Sequence, residues 1–263
     1  MQPACDTRTH ARAPEPVALP LLRSVPATAP LRWLRDGARD MRCTPVASGA
    51  AGAAVAVLGA LLVSAGWGSP HLAPALLGGF LIVAPFLGLG LCATSQQLER
   101  DGPVDPVGAW LAWRENAGAI ALFGGLLLLA YVFWERGAAI LFALHYADDP
   151  LPLRAAPVEL LLSGRYDTLL LSYFGFGALV AAAVFVVSVV TVPLLLDEPV
   201  DTLTALGTSV RCCVRNPGAT AVWALLIAAL TAVGFATALF GLVAIFPWLA
   251  HASWHAYRDM VVP

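Results

Sequence analysis

Apolar runs of about twenty residues recur along this chain, and each is long enough to cross roughly 30 Å of hydrocarbon as a helix. Residues 46–67 and 71–93 are two such runs, parted only by the uncharged Gly68, Ser69 and Pro70, the pattern of a tight transmembrane hairpin. Residues 117–134 predict a third span and residues 169–196 a fourth. The stretch between them is polar and contains Asp148, Asp149, Arg154, Glu159, Arg165 and Asp167. The last apolar block, residues 219–250, would make a single helix of about 48 Å. It is therefore either one strongly tilted helix or a compressed hairpin, with Gly234 near its middle as a possible break.

An internal repeat favours the hairpin. Val83-Ala84-Pro85-Phe86-Leu87, Thr191-Val192-Pro193-Leu194-Leu195 and Ile245-Phe246-Pro247-Trp248-Leu249 are apolar words each punctuated by one proline. A short amphipathic segment precedes each hairpin, at residues 31–44, 107–116 and 202–216. The pattern predicts an all-α polytopic membrane bundle of six transmembrane helices, built as three units of interfacial helix plus hairpin. The final block then divides into spans at about 219–233 and 235–255, and the membrane domain covers residues 31–258. Pro85, Pro193 and Pro247 are expected to break their helices. Residues 1–30 hold prolines at 3, 14, 16, 20, 26 and 30 and no early apolar core, so they read as a disordered cytoplasmic tail or a partner-binding arm.

Composition agrees: 59% of residues are hydrophobic, 12% are charged and the mean hydropathy is +0.77, so lipid is the expected solvent. A net charge of -2 gives no basic surface for nucleic acid. All fifteen basic residues are Arg, which with abundant Ala and Gly suggests a GC-rich bacterial genome and an inner membrane. Arg8, Arg12, Arg23, Arg32, Arg35, Arg39 and Arg42 precede the first span, so the N-terminus should be cytoplasmic. Alternation puts Arg100, Arg114, Arg211 and Arg215 on the same side, and Arg258 too if the spans number six. Cys5, Cys43, Cys92, Cys212 and Cys213 all fall in or beside segments of that reducing side, and no disulfide is expected.

Candidate chemistry is sparse. His251 and His255 are spaced i, i+4 and share a helix face, as two neighbouring ligands of a metal or haem iron would. They lack a third ligand nearby, and the surrounding Trp254, Tyr257 and Arg258 also suit an interfacial anchor. No carboxylate lies well inside a span, the usual mark of ion transport. The nearest exception is Glu135-Arg136: interface charges if the third helix ends at Trp134, or headgroup-depth charges of a long tilted helix if it runs to about Tyr146. Asp105, Asp197, Glu198 and Asp201 suit the N-termini of interfacial helices. No phosphate-cradling loop or nucleophile elbow occurs, and Gly78-Gly79 and Gly124-Gly125 read as close helix contacts.

Several words together are familiar: Val192-Pro193-Leu194-Leu195-Leu196-Asp197, Val200-Asp201 with Ala205 and Ser209, Asn216-Pro217, and Phe246-Pro247 followed by His251-Ala252-Ser253-Trp254-His255-Ala256-Tyr257-Arg258. From about Leu31 onward the chain resembles a family of proteobacterial predicted integral membrane proteins, domain of unknown function 2189. It departs from the family pattern at Ala250, where Gly is common, and at Glu198, where a basic residue is frequent. The resemblance implies no established activity, although some members carry a label as cytochrome oxidase components. The expectation is a non-enzymatic accessory, assembly or scaffold subunit of a larger membrane complex, a respiratory oxidase being the first guess. The alternatives are a small-molecule transporter or exporter, motivated by the proline breaks, and a haem- or metal-binding protein using His251 and His255.

Overall fold

The structure, a computed structural model, describes residues 20–68, 88–100, 104–146, 164 and 167–262. Strand β1 (Leu21–Leu22) leads to α1 (Ala29–Cys43) and α2 (Pro45–Gly68). Helix α3 covers 88–99 of the described chain. Next come α4 (Pro106–Leu111), a 3-10 turn (Ala112–Asn116), α5 (Ala117–Tyr146), α6 (Asp167–Ser188) and α7 (Thr191–Asp197). The chain closes with α8 (Thr202–Arg215), α9 (Pro217–Ala236), α10 (Leu242–Met260) and β2 (Val261–Val262). β1 and β2 pair antiparallel, Leu21 opposite Val262. The protein is thus almost wholly helical. Among the described residues, four stretches are long and apolar enough to cross a membrane: Pro45–Ala65, Pro106–Leu144, Asp167–Asp197 and Pro217–Ala236.

Two corners of the fold are nearly identical. Helix α1 turns into α2 at Thr44, whose φ and ψ are -128° and 55°; α8 turns into α9 at Asn216, with -126° and 53°. Each is followed by a proline, whose ring crowds the preceding residue out of the helical region while presetting φ for the first turn of the next helix. Each corner residue donates its backbone N–H to the carbonyl four residues back, Asp40 for Thr44 and Cys212 for Asn216. Each adds a side-chain bond to the same carbonyl, Thr44 Oγ1 at 3.0 Å and Asn216 Nδ2 at 3.2 Å. The buried faces keep the same register: Trp33, Gly37 and Asp40 precede their corner by 11, 7 and 4 residues, as Ala205, Ser209 and Cys212 precede theirs. The middle segment differs, since α4 and its 3-10 turn run into α5 without a proline.

Pro193 lies in the first turn of α7. It cannot donate to the carbonyl of Val189, and the long apolar segment divides there into α6 and α7. Pro247 does not divide its helix: α10 is continuous through it. The carbonyl that Pro247 leaves without a helical donor is that of Val243, and α2 covers it closely, since a Cβ at Gly52 would collide with the Val243 oxygen. Pro85 lies outside the described residues, as does most of the stretch from Asp148 to Arg165.

Other expectations shift. The final block does fold as two helices, but the break is at Thr237–Gly241, where Ala238 and Leu239 take φ of 51° and 72°. Gly234 stays inside α9, and a Cβ there would collide with Leu242; its role is close approach of α9 and α10. The third helix continues past Trp134 to Tyr146, the helix extent that the second reading of Glu135 and Arg136 requires. The segment 21–30, assigned above to a disordered tail, is ordered: besides the strand pair, Arg23 N–H reaches the Met260 carbonyl at 2.9 Å and Val25 N–H reaches Asn216 Oδ1 at 2.8 Å.

Helix α10 is central at the end of the bundle where α1 and α8 lie. It packs on α1, α2 and α9, and Gly37 permits the α1 crossing, where a Cβ would sit 2.6 Å from the Ala252 nitrogen. Trp33 meets Trp223 of α9 edge-on at 5.7 Å, and Trp254 and Tyr257 are buried in the same cluster. Helices α5 and α6 form a more open antiparallel hairpin, joined by Trp134–Tyr173 and Phe133–Phe176 ring contacts at 6.1 and 5.7 Å.

Candidate functional site

His251 and His255 lie one turn apart on α10, as their spacing dictates, but their ring nitrogens point into hydrogen bonds with three other helices. His251 is fully buried; its Nε2 is 3.0 Å from Ser48 Oγ on α2, and its Nδ1 is 2.8 Å from Ser95 Oγ on α3. His255 Nε2 lies 2.9 Å from Asp40 Oδ2 on α1. Thr44 Oγ1 bridges Ser48 Oγ at 3.2 Å and the Asp40 carbonyl, and Ser95 lies close enough to the Asp40 carboxylate to stabilise its charge. Asp40, Thr44, Ser48, His251 and Ser95 therefore form a ring of neighbouring polar groups, with His255 attached at Asp40.

Burial alone would push the Asp40 carboxyl up. The hydrogen bond from His255, the nearby Ser95 hydroxyl and the positive potential of the two imidazoles outweigh it, and the group titrates below its ordinary value. A metal could take His251 only by displacing Ser48 or Ser95, and could take His255 through Nε2 only by displacing Asp40. No group of three or more His, Cys, Asp or Glu among the described residues is placed to hold a metal ion.

A second node sits beside the ring. Asp197, at the end of α7, has a side chain only 8% exposed and four donors around it. Gln96 Nε2 lies at 2.7 Å and Arg100 Nη2 at 3.4 Å from Oδ1; Tyr257 Oη lies at 2.8 Å and Arg258 Nη1 at 3.6 Å from Oδ2. Burial and the Asp197 charge both raise the Tyr257 phenol, which stays protonated and donates. Glu99 accepts from Trp254 Nε1 at 2.8 Å and from Arg258 Nε at 3.0 Å. Asp259 accepts from Trp33 Nε1 at 2.8 Å and pairs with Arg32. From His251 to Asp259, α10 thus ties itself through side chains to α1, α2, α3 and α7. Among the described residues no buried side-chain nitrogen or oxygen lacks a partner.

Chemically, hydroxyls and imidazoles in such a ring can exchange hydrogen bonds, but their evident work is to fix where four helices meet. The two cavities of note, of about 380 and 540 Å³, are lined by no residue of the ring. Asp105 and Asp201 do cap helices: Asp105 Oδ1 accepts from Val107 N–H and Asp201 Oδ1 from Thr204 N–H, each at 3.0 Å. Asp197 caps nothing; it, Asp40 and Glu99 tie helices together, a role that the sequence pattern does not single out. The available signal was their number against that of the polar groups in the His251–Arg258 phrase, each of which needs a partner when buried.

No curated protein and no solved structure matches the chain. Residues 72–197, from the second apolar run to the Asp197 node, match the model of the family described as Predicted integral membrane protein (DUF2189); the stretch excludes α1, α2 and α8 through α10.

Proposed function

We propose that this protein is a non-enzymatic scaffold: an accessory or assembly subunit of a larger complex in a bacterial inner membrane. It has six spans arranged as three units of interfacial helix plus hairpin, and both termini are cytoplasmic. The observation that carries this reading is a contrast within the molecule. The polar side chains at one end are spent on holding helices together, whereas the most apolar windows of the four spanning stretches are only 17–33% buried. A layer so fully satisfied offers no free nucleophile or base, and spans so bare offer apolar faces to lipid and to neighbouring helices. The two matching corners at Thr44-Pro45 and Asn216-Pro217 support the repeat, and the gathering of both corners, Asp197 and the α10 C-terminus in one layer supports an even number of spans.

A transporter finds less support: the break before Pro193 is packed, with Val190 and Leu194 fully buried, and the carbonyl freed by Pro247 is covered by Gly52. A haem or metal protein would need the ring of His251 dismantled. Purification in mild detergent followed by mass spectrometry of companions tests the scaffold reading, with respiratory oxidase subunits the first to look for. A reproducible stoichiometric membrane partner is expected, and a solitary, monodisperse protein would overturn it. Orientation is read from Cys43, which is exposed. With Cys5 replaced by Ser, a membrane-impermeant maleimide should label Cys43 in inverted vesicles and spare it in intact cells. Burial pushes the Cys212 and Cys213 thiols up to about 12 and about 11, so neither should compete.

A further inference from the structure

We infer that the groove between β1 and α8 binds an anionic diacyl phospholipid, its phosphate held by Arg211 and Arg215. The groove has a volume of about 540 Å³ and is lined by Leu21, Leu22, Val210, Arg211, Val214 and Arg215. That size lies within the range of roughly 300–1,000 Å³ of small-molecule clefts. Its chemistry is that of a phospholipid in miniature: four aliphatic side chains form the floor and two guanidiniums the rim.

Three observations identify the occupant. First, α8 is amphipathic in an unusual sense. Its inner face of Ala205, Thr208, Ser209, Cys212 and Cys213 is buried, yet its outer face still exposes Leu203 and Val214 at 73% and 75%. An interfacial helix with bare aliphatic residues on its outer side meets acyl chains there. Second, Arg211 and Arg215 are both exposed and, among the described residues, no carboxylate pairs with either; the same is true of Arg23 at the end of β1. Elsewhere in this layer Arg258 is used on Glu99 and Arg32 on Asp259, while Arg39 and Arg42 on α1 are, like Arg211 and Arg215, exposed without a carboxylate among the described residues. Third, among the described residues no hydrogen bond ties either guanidinium to the end of α8. The Cys212 carbonyl is taken by the backbone and side-chain nitrogens of Asn216, which leaves the guanidiniums free to reach outward. Arg211 and Arg215 at i, i+4 stand side by side and can grip one phosphate from two sides, the geometry in which guanidinium outperforms ammonium. The proposal rests on the chain being embedded in a membrane and not on the scaffold role.

The experiment uses the full-length protein, purified in a neutral detergent and titrated with short-chain phosphatidylglycerol, phosphatidylcholine and glycerol 3-phosphate under native mass spectrometry. Phosphatidylglycerol should bind in preference to phosphatidylcholine, and glycerol 3-phosphate should bind weakly, because it lacks the acyl chains that the groove floor covers. Each lost arginine near a lipid surface weakens binding by about fivefold, so Arg211→Gln with Arg215→Gln should cost about twenty-fivefold. Val214→Ser should weaken phosphatidylglycerol and leave the small binding of glycerol 3-phosphate unchanged. The control is Arg39→Gln with Arg42→Gln, which removes the same charge from α1, away from the groove, and should leave affinity within twofold. Equal loss in both double variants would overturn the site in favour of general attraction to anionic lipid. Glycerol 3-phosphate binding as tightly as the lipid would overturn it in favour of a phosphate site. Unchanged melting temperatures confirm that the exposed arginines were removed without unfolding.

Discussion

The end of the molecule built from α1, α8 and the C-terminal half of α10 and the hairpin of α5 and α6 are held together by different means. At the first, Trp33, Trp223, Trp254 and Tyr257 are each at most 1% exposed, and the polar atoms of Trp33, Trp254 and Tyr257 are bonded to Asp259, Glu99 and Asp197. At the second, Phe133 and Phe174 are 61% exposed, and the helices meet through ring contacts and a glycine, Gly137, at which a Cβ would strike the Phe176 ring. Apolar side chains facing lipid tails gain nothing by being buried in protein, so the spans need only shape-matched contacts. Outside the hydrocarbon, water competes, and burial of aromatic surface with satisfied hydrogen bonds again stabilises. The family match covers the α5–α6 hairpin but stops at Asp197, so the helix that completes the polar end lies beyond it.

The sharpest way to break this contrast is to remove a tryptophan from each region. Trp254→Ala takes away a fully buried indole and the N–H that holds Glu99, and should destabilise the protein by about 3–5 kcal/mol. Trp134→Ala, in a half-buried pair with Tyr173, should cost about 1 kcal/mol. Thermal unfolding in one detergent, followed by near-ultraviolet circular dichroism, measures both; comparable losses would show that the two regions share one mode of packing.

His251→Leu comes next. It keeps the volume but leaves Ser48 and Ser95 each short of one partner, and should cost about 2 kcal/mol, a loss typical of unsatisfied buried hydroxyls. His251→Gln, able to donate and accept, should recover part of it. A stability equal to that of the parent in the Leu variant would mean that the ring is incidental.

Much of this was legible in the sequence, and the parts that were not share a cause. Apolar runs longer than the bilayer is thick announce helices wherever they occur, which is why the runs at 46–67, 117–134 and 169–196 are legible as spans, while most of 71–93 lies outside the described residues and the doubling of the final block takes the repeat to argue. Helix ends were harder. Gly234 suggests a hinge because Gly is flexible, but the chain turns four and five residues later, at Ala238 and Leu239, where a run of local 3-10 bonds and Thr237 Oγ1 close the turn. The i, i+4 spacing of His251 and His255 was read correctly as one face, yet their partners come from residues more than 150 positions away in sequence, at Ser48, Ser95 and Asp40. No periodicity within α10 encodes those. Asp40 was passed over because a charged residue on an amphipathic helix is ordinarily a solvated one; here its face is the inner one.

Acid should act on the polar end before the hairpin. Because the folded Asp40 carboxyl titrates below its unfolded value, its contribution to stability is fully present above about pH 4 and is lost as the pH falls through the lower, folded value. Asp40→Asn should lower stability at neutral pH and remove that part of the acid dependence, while Trp254 fluorescence, reporting the polar end, should respond to acid earlier in the parent than Tyr131 and Tyr173 signals from the hairpin. Coincident acid transitions at both places would mean that Asp40 is not the group that titrates.

The smallest effect is expected at the one charged pair within the long helix. Glu135 follows Ala117 by 18 residues, which at 1.5 Å each places it about 27 Å along α5, near the far edge of a hydrocarbon layer roughly 30 Å thick. Its carboxylate meets the adjacent Arg136 guanidinium at 2.6 Å, and the arginine side chain is 74% exposed. Neighbouring residues do not share a helix face, so this pair draws together only by bending two flexible side chains around the helix, at headgroup depth where water and salt screen it. Exposed pairs of that kind contribute at most about 1 kcal/mol. Glu135→Gln should therefore change the melting temperature by no more than a degree or two and leave complex formation intact. A large loss of stability would place the carboxylate inside hydrocarbon, and loss of a transmembrane proton or solute flux with stability unchanged would make it a gate. Either result would erase the distinction between a polar end that is structurally committed and a hairpin that carries its charges only at the membrane surface.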